Sequence, residues 1–434
     1  MTAWKPIAAA DPGTAGRCRA VIEEIERSLL DQLDQLDEEA SPSLSGGLAG
    51  QAVFFAYLDA ARGGSGPASD AALDAIGRSV DALGETVLPP SLYSGFSGIG
   101  WAVEHLTRRF FESDEDLCSA IDDGLRELLS ISGQRLNFEL ISGLSGYGVY
   151  LVERLSNPAA GPAAAELLGR ILDLLEESAE SSEDGLTWWT VPEWMPTWQR
   201  EIMPAGSYNL GVAHGIPGVL GFLAAARRGG FEDPRLPGLA DGLVRWLLGR
   251  RLGRDGGAFP AHFVPGQPAE PTRTAWCYGD PGVAAVLLSA ARSFGRPEWE
   301  EEALALARAS ARRSEQAART VDAGLCHGTA GLAHLWNRFY QATGDPELGE
   351  AALAWIRRTL DQQRPGKGVA GFLTFVAGPS GDARSEGVWK GEPGLLVGSA
   401  GIGLALLAAV SDVEPDWDRM LLTAVPALNE TEPR

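Results

Sequence analysis

The sequence predicts an all-α protein closed into a toroid, with seven inner helices inside seven outer ones, as a single domain over residues 1–434. Three observations carry this expectation. The pattern G-x-x-G followed by an apolar run occurs seven times, and internal repetition of this kind overrides the two or three domains that length alone suggests. Each run is preceded by a longer stretch dense in Glu, Arg and Leu at helical spacing. No segment shows the period-two alternation of a half-buried strand.

The elements follow in order. Outer stretch 19–36 leads to Gly47/Gly50 and the inner run QAVFFAYLDAA; 70–83 leads to Gly95/Gly98 and IGWAVEHL. Stretch 114–129 precedes Gly143/Gly146 and YGVYLVERL, and 163–175 precedes Gly215/Gly218 and VLGFLAAA. Stretch 239–252 precedes Gly279/Gly282 and VAAVLLSAA, 299–313 precedes Gly328/Gly331 and LAHLWNRFY, and 351–362 precedes Gly398/Gly401 and IGLALLAAV. A run apolar on every side reads as a buried helix, whereas the preceding stretches keep one face in water. An open solenoid would need polar terminal repeats. The last inner run has no polar face, so closure is expected.

Connections from outer to inner helix are short except at 181–209, 253–275 and 365–396. Long loops in compact domains are functional or disordered. Trp188, Trp189, Trp194 and Trp198 make the first of these an ordered one. All three loops reach the end of the toroid that carries the G-x-x-G turns, which is therefore the expected working face.

Bulk properties exclude several classes. With 45% hydrophobic and 22% charged residues, the chain is too apolar to be disordered. Its N-terminus lacks the basic and apolar regions of a secretory signal. The apolar stretch 394–410 is broken by glycines and too short to span a bilayer. A cytoplasmic protein with no integral membrane segment is expected. The net charge of −22 excludes nucleic acid as a partner, because phosphate binding needs clustered Lys and Arg. Cys18, Cys118, Cys277 and Cys326 are too sparse for a disulfide framework.

Aligning the seven turns on their first glycine exposes the chemistry. The two preceding residues are unremarkable in turns 1, 2, 3 and 7, but become Ala213-His214, Cys277-Tyr278 and Cys326-His327 in turns 4, 5 and 6. The two cysteines hold equivalent positions in adjacent repeats, so they can face one shared space, and His327 stands beside the second. Free cysteines are ordinarily buried packing residues. Here the matched register and the adjacent histidine point instead to one zinc ion held by Cys277, Cys326 and His327, with the fourth position open for chemistry. A structural site is disfavoured by the absence of Cys-x-x-Cys. Cys18 and Cys118 lie on outer stretches and read as packing; His105, His262 and His334 read as structural. His214 occupies the turn position of His327 and is expected to face the metal end.

Two thiolates neutralise Zn²⁺, so an incoming thiol would form an anionic, sulfur-rich centre. A thiol of pKa near 8.5 is only about 3% ionised at neutral pH, and coordination would ionise it. The centre suits activation of a substrate thiol at least as well as activation of water.

The segments AHGIPG (213–218), AWCYGDPG (275–282) and LCHGTAG (325–331) resemble the signatures of the lanthionine synthetase C-like family, the lantibiotic cyclases. SGLSGYG (142–148), the segment 192–211 and GSAGIG (398–403) are similar to it as well, so the resemblance spans essentially the whole chain. It implies a double-layered α-toroid and the addition of a peptide cysteine thiol to dehydroalanine or dehydrobutyrine, giving (methyl)lanthionine thioether rings. It places zinc on Cys277, Cys326 and His327, proton transfer on His214, and active-site roles on Arg273 and Tyr278. Glu139 stands where many members carry Asp. The partners implied are a dehydrated precursor peptide and a separate dehydratase. Two other readings compete. One is a zinc-dependent thiol alkyltransferase, disfavoured by the second cysteine ligand; the other is a non-catalytic zinc-bearing scaffold that binds peptide or glutathione.

Overall fold

The computed structural model describes residues 4–35, 40–64, 66–111, 115–131, 135–253, 257–378 and 387–425. The last residue of the expected stretch 19–36, the first of 114–129, and parts of the loops 253–275 and 365–396 lie outside the described residues.

Runs of Ala, Leu, Val and Phe form the buried helices, with proline confined to the first turn where it occurs. They are α2 (Leu48–Ala61), α4 (Phe96–Arg109), α6 (Leu144–Arg154), α9 (Ile216–Arg228), α11 (Asp280–Phe294), α14 (Thr329–Thr343) and α16 (Ser399–Val410). Every residue of α16 from Ser399 to Ala409 is buried, as is every residue of α9 from Ile216 to Ala226. The amphipathic stretches form α1 (Pro12–Gln35), α3 (Pro67–Glu85), α5 (Ser119–Ser130), α7 (Gly161–Ser178), α10 (Leu236–Leu248), α12 (Pro297–Ala311) and α15 (Pro346–Asp361). Proline in the first turn of α3, α7, α10, α12 and α15 fixes φ where no N–H is needed. Two short helices complete the set, α8 (Thr197–Ile202) and α13 (Glu315–Ala318).

Contacts divide the chain into two compact units. The first comprises residues 1–118, 320–375 and 389–418. Within it α16 packs against α1, α2 and α14, α2 packs against α3 and α4, and α14 packs against α15. The last inner helix thus lies against the first, as closure requires and an open solenoid forbids. The second unit comprises residues 119–319, 376–388 and 419–434. There α9 packs against α6, α10 and α11, while α7 and α12 cover α6 and α11.

Except for α5, which begins at Ser119 within its expected stretch, the outer helices begin a few residues before the expected stretches, because their first turns carry Pro and polar residues rather than the apolar periodicity. The expectation of no strands needs a correction. Among the described residues six short strands form three two-stranded pairs, all at the long loops: β1 (Glu180–Ser182) with β2 (Gly185–Thr187), β3 (Tyr208–Asn209) with β4 (His262–Phe263), and β5 (Thr374–Val376) with β6 (Val388–Lys390). Segments of two or three residues are too short to show alternation. Among the described residues no helix is long and apolar enough to cross a membrane.

Candidate metal centre

Each inner helix opens on a turn that folds back over its own N-terminus. In α14 the N–H groups of Thr329, Ala330 and Gly331 donate to the carbonyls of Asp322, Ala323 and Gly324. Backbone thus satisfies donors that a helix start otherwise leaves unpaired. The fold-back brings the chain so close that a Cβ on Gly331 would sit 1.9 Å from the Leu325 carbonyl oxygen. Gly279 has the same crowding, 2.5 Å from the Arg273 carbonyl oxygen, and a φ of +153° besides. G-x-x-G therefore marks a close backbone crossing whose tip presents the two residues before the first glycine.

These tips are stitched together in the register the alignment predicts. In the first unit the Cys326 N–H donates to Leu396 C=O, Leu396 N–H to Ser45 C=O, and Ser45 N–H to Tyr93 C=O, at 2.8–2.9 Å. In the second, Ala213 N–H donates to Cys277 C=O at 3.4 Å. All of these residues stand two before a first glycine.

Cys277, Cys326 and His327 come together: their two sulfurs and an imidazole nitrogen lie within 4.8 Å of one another. Ligands on one tetrahedral zinc, at bonds of 2.0–2.3 Å, are separated by about 3.5–4 Å, so small side-chain adjustments suffice. Cys277 is buried; Cys326 and His327 are half-buried. The donor set fits zinc: two soft thiolates and an imidazole, with three protein ligands where a closed structural site has four. Cys18 contrasts with them, since burial pushes its thiol up to about 12 and leaves it inert. Cys118 is buried against the Gly100 carbonyl.

His214, at the tip of turn 4, places Nδ1 2.7 Å from Oε2 of Glu139. The carboxylate is buried and also accepts from the Ile141 and Ser142 N–H groups and the Ser142 hydroxyl. Glu139 is thus locked in turn 3 and holds the imidazole by one nitrogen. Burial pulls the His214 pKa down, but the hydrogen bond and charge of Glu139, aided by Cys277, bring it above 6.5 overall. The His214 side chain remains 47% exposed.

Tyr278 accepts a hydrogen bond on its hydroxyl from Asn209 Nδ2 at 2.9 Å, and its ring lies 6.3 Å from that of His214. Arg273 is half-buried, and among the described residues its guanidinium has no hydrogen-bond or ion-pair partner. Asp280 accepts from the Ala258 and Phe259 N–H groups and pairs with Arg313, which ties the loop 253–275 to the start of α11.

His262, expected from the sequence to be structural, lies beside Tyr278. Through the β3–β4 pair it faces Asn209, and its ring lies 5.7 Å from Tyr278 with Nδ1 3.1 Å from the Ser207 hydroxyl. Burial, then the charge of His214, lowers its pKa to about 4. Its place in a long loop was the available signal. His105, by contrast, is a core residue against Tyr57 Oη at 2.9 Å, and His334 is buried against Asp418.

Comparison with known proteins follows the same lines. Residues 38–422 match the profile of the family described as lanthionine synthetase C-like protein. The chain belongs to the lanthionine synthetase C-like family. Nisin cyclase has the same fold, with a TM-score of 0.72 at 21% identity, covering 93% of this chain and 97% of that one. The fold is accordingly the closed all-α toroid of this family, with seven inner and seven outer helices. Glutathione S-transferase LANCL1 of Danio rerio is 25% identical over 73% of this chain and 76% of its own. Nisin biosynthesis protein NisC of Lactococcus lactis subsp. lactis is 26% identical over 58% of this chain and 63% of its own length.

Proposed function

We propose that the chain is a zinc-dependent lanthipeptide cyclase, adding a peptide cysteine thiol to dehydroalanine or dehydrobutyrine to form (methyl)lanthionine rings. The observation that carries this reading is the convergence of Cys277, Cys326 and His327 on one point in a lanthionine synthetase C-like fold. These three residues would hold one zinc ion, which when bound lowers the pKa of a thiol offered to its remaining position.

The other residues handle the acceptor. The thiolate sulfur bonds to the β-carbon, the carbon–carbon π pair moves onto the α-carbon and carbonyl oxygen, and the α-carbon then takes a proton. Arg273, whose guanidinium has no partner among the described residues, is free to stabilise the developing enolate oxygen. His214 carries the proton: Glu139 holds Nδ1 and favours the charged ring, leaving the exposed side to exchange with substrate. Tyr278, fixed by Asn209, orients the substrate beside His214. Glu139 serves in the role that Asp fills in other members. On this reading the chain works as one cyclase domain in the cytoplasm, on a peptide that a separate dehydratase has prepared.

Cyclisation changes no mass, which makes the test direct. Zinc-loaded protein incubated with a dehydrated, cysteine-containing peptide should remove the alkylatable thiol without changing the peptide mass. Survival of the thiol across several such peptides would contradict cyclisation. The similarity to a protein named glutathione S-transferase supplies a second reading, with glutathione as the thiol. An adduct heavier by one glutathione, formed only when glutathione is added, would favour it. Addition of an alkyl donor would instead favour the alkyltransferase, and binding without any chemistry the scaffold.

A further inference from the structure

One buried carboxylate beside the three ligands has no part in the mechanism above. Asp322 is 1% exposed, and its Oδ2 lies 3.8 Å from Nε2 of His327. Oδ2 also accepts from the Phe375 N–H at 3.1 Å, and Oδ1 from the Gly324 N–H at 3.2 Å. The Oδ1 contact is a local turn that recurs along the chain. Six residues before their first glycines, Asn137 and Asn209 accept in the same way from the N–H two residues on. A neutral amide oxygen is therefore enough to build the turn.

The negative charge at position 322 needs another reason, because burying a carboxylate is costly unless a donor or cation meets it. Two backbone N–H groups occupy part of its acceptor capacity, and the side chain it faces is the imidazole of His327. Asp322 is not itself a fourth ligand: it falls outside the set whose donor atoms lie within 4.8 Å of one another.

We propose that Asp322 is a positioning residue for the metal centre. With the metal bound, a shift of about 1 Å would bring its carboxylate from 3.8 Å to hydrogen-bond distance of the Nε2–H of His327. That contact fixes the tautomer and leaves Nδ1 as the metal donor, in the manner by which carboxylates orient metal-binding histidines. The proposal rests on the reading of Cys277, Cys326 and His327 as zinc ligands. It also couples the centre to the long loop 365–396, because Phe375 on β5 holds the same carboxylate oxygen.

Two measurements test it. Asp322→Asn keeps the acceptor that the turn needs and should weaken zinc binding about 10- to 100-fold in a chelator competition. The thiolate-to-metal charge-transfer bands of its cobalt form should keep their energies, since no ligand has changed. In ¹⁵N-histidine spectra of wild-type protein loaded with ¹¹³Cd, the metal coupling should fall on Nδ1 of His327 and a proton on Nε2. Metal coupling at Nε2, or zinc affinity in Asp322→Asn within about twofold of wild type, would overturn the proposal. The spectra need only wild-type protein, so the inference stays testable if the variant fails to fold. Full zinc in a Cys326→Ala variant would instead remove the ligand reading itself.

Discussion

At the scale of single residues, the His214–Glu139 pair is the part of the site with the most specific expected behaviour. The carboxylate brings the imidazole pKa above 6.5 against the opposing effect of burial. For a group raised in the folded state, the stabilisation is complete below pH 6.5 and is lost as pH rises through the folded value. Replacing Glu139 with Gln removes the charge and leaves the burial, so the His214 midpoint should move down. An NMR pH titration of the His214 ring protons checks this; a midpoint that stays or rises would contradict it. The convergence of Cys277, Cys326 and His327, and the place of His214 on a neighbouring turn, were legible in the sequence, because the alignment puts the two cysteines at one turn position and the two histidines at the next. Asp322 and His262 were not. Asp322 stands where Asn137 and Asn209 make ordinary turns, and its special neighbour is five residues on in a different part of the same crossing. His262 reaches Tyr278 only through a strand pair of two residues on each side, formed by two loops that nothing in the sequence links.

At the scale of elements, the structure explains why G-x-x-G recurs. The chain before each inner helix crosses back over the helix start, and carbonyl oxygens fill the space a Cβ would need. That crossing holds the tip residues at one level and joins neighbouring tips by backbone hydrogen bonds. The seven inner runs and seven outer stretches were readable because both have a helical period and a distinct polarity. The strands were not, since β1–β6 are each three residues or fewer. Close helix approach is the second theme. A Cβ on Gly148 of α6 would meet the Phe222 ring of α9 at 2.2 Å, so this aromatic fills the space that the glycine leaves. Phe222 is fully buried. Phe222→Ala should therefore destabilise the protein by about 3–5 kcal/mol, read as a lower denaturant midpoint with an unchanged slope. A loss below about 1 kcal/mol would show that α6 and α9 are not held by this contact.

At the scale of the whole molecule, the repeats bring together side chains from distant parts of the sequence that, on the proposed reading, hold one zinc. Turn 5 supplies Cys277 and turn 6 supplies Cys326 and His327, while turns 3 and 4 supply the Glu139–His214 pair. On that reading the repeated fold-back turn is structural in most repeats and chemical in a few, where the tip residues carry ligating or titratable side chains. The measurement that tests this most directly is the zinc content of three purified proteins. Wild type should carry one zinc per chain, Cys326→Ala should carry almost none, and Cys18→Ala, which removes a buried packing thiol, should keep it. Full zinc in Cys326→Ala, or none in wild-type protein offered the metal, would contradict the account.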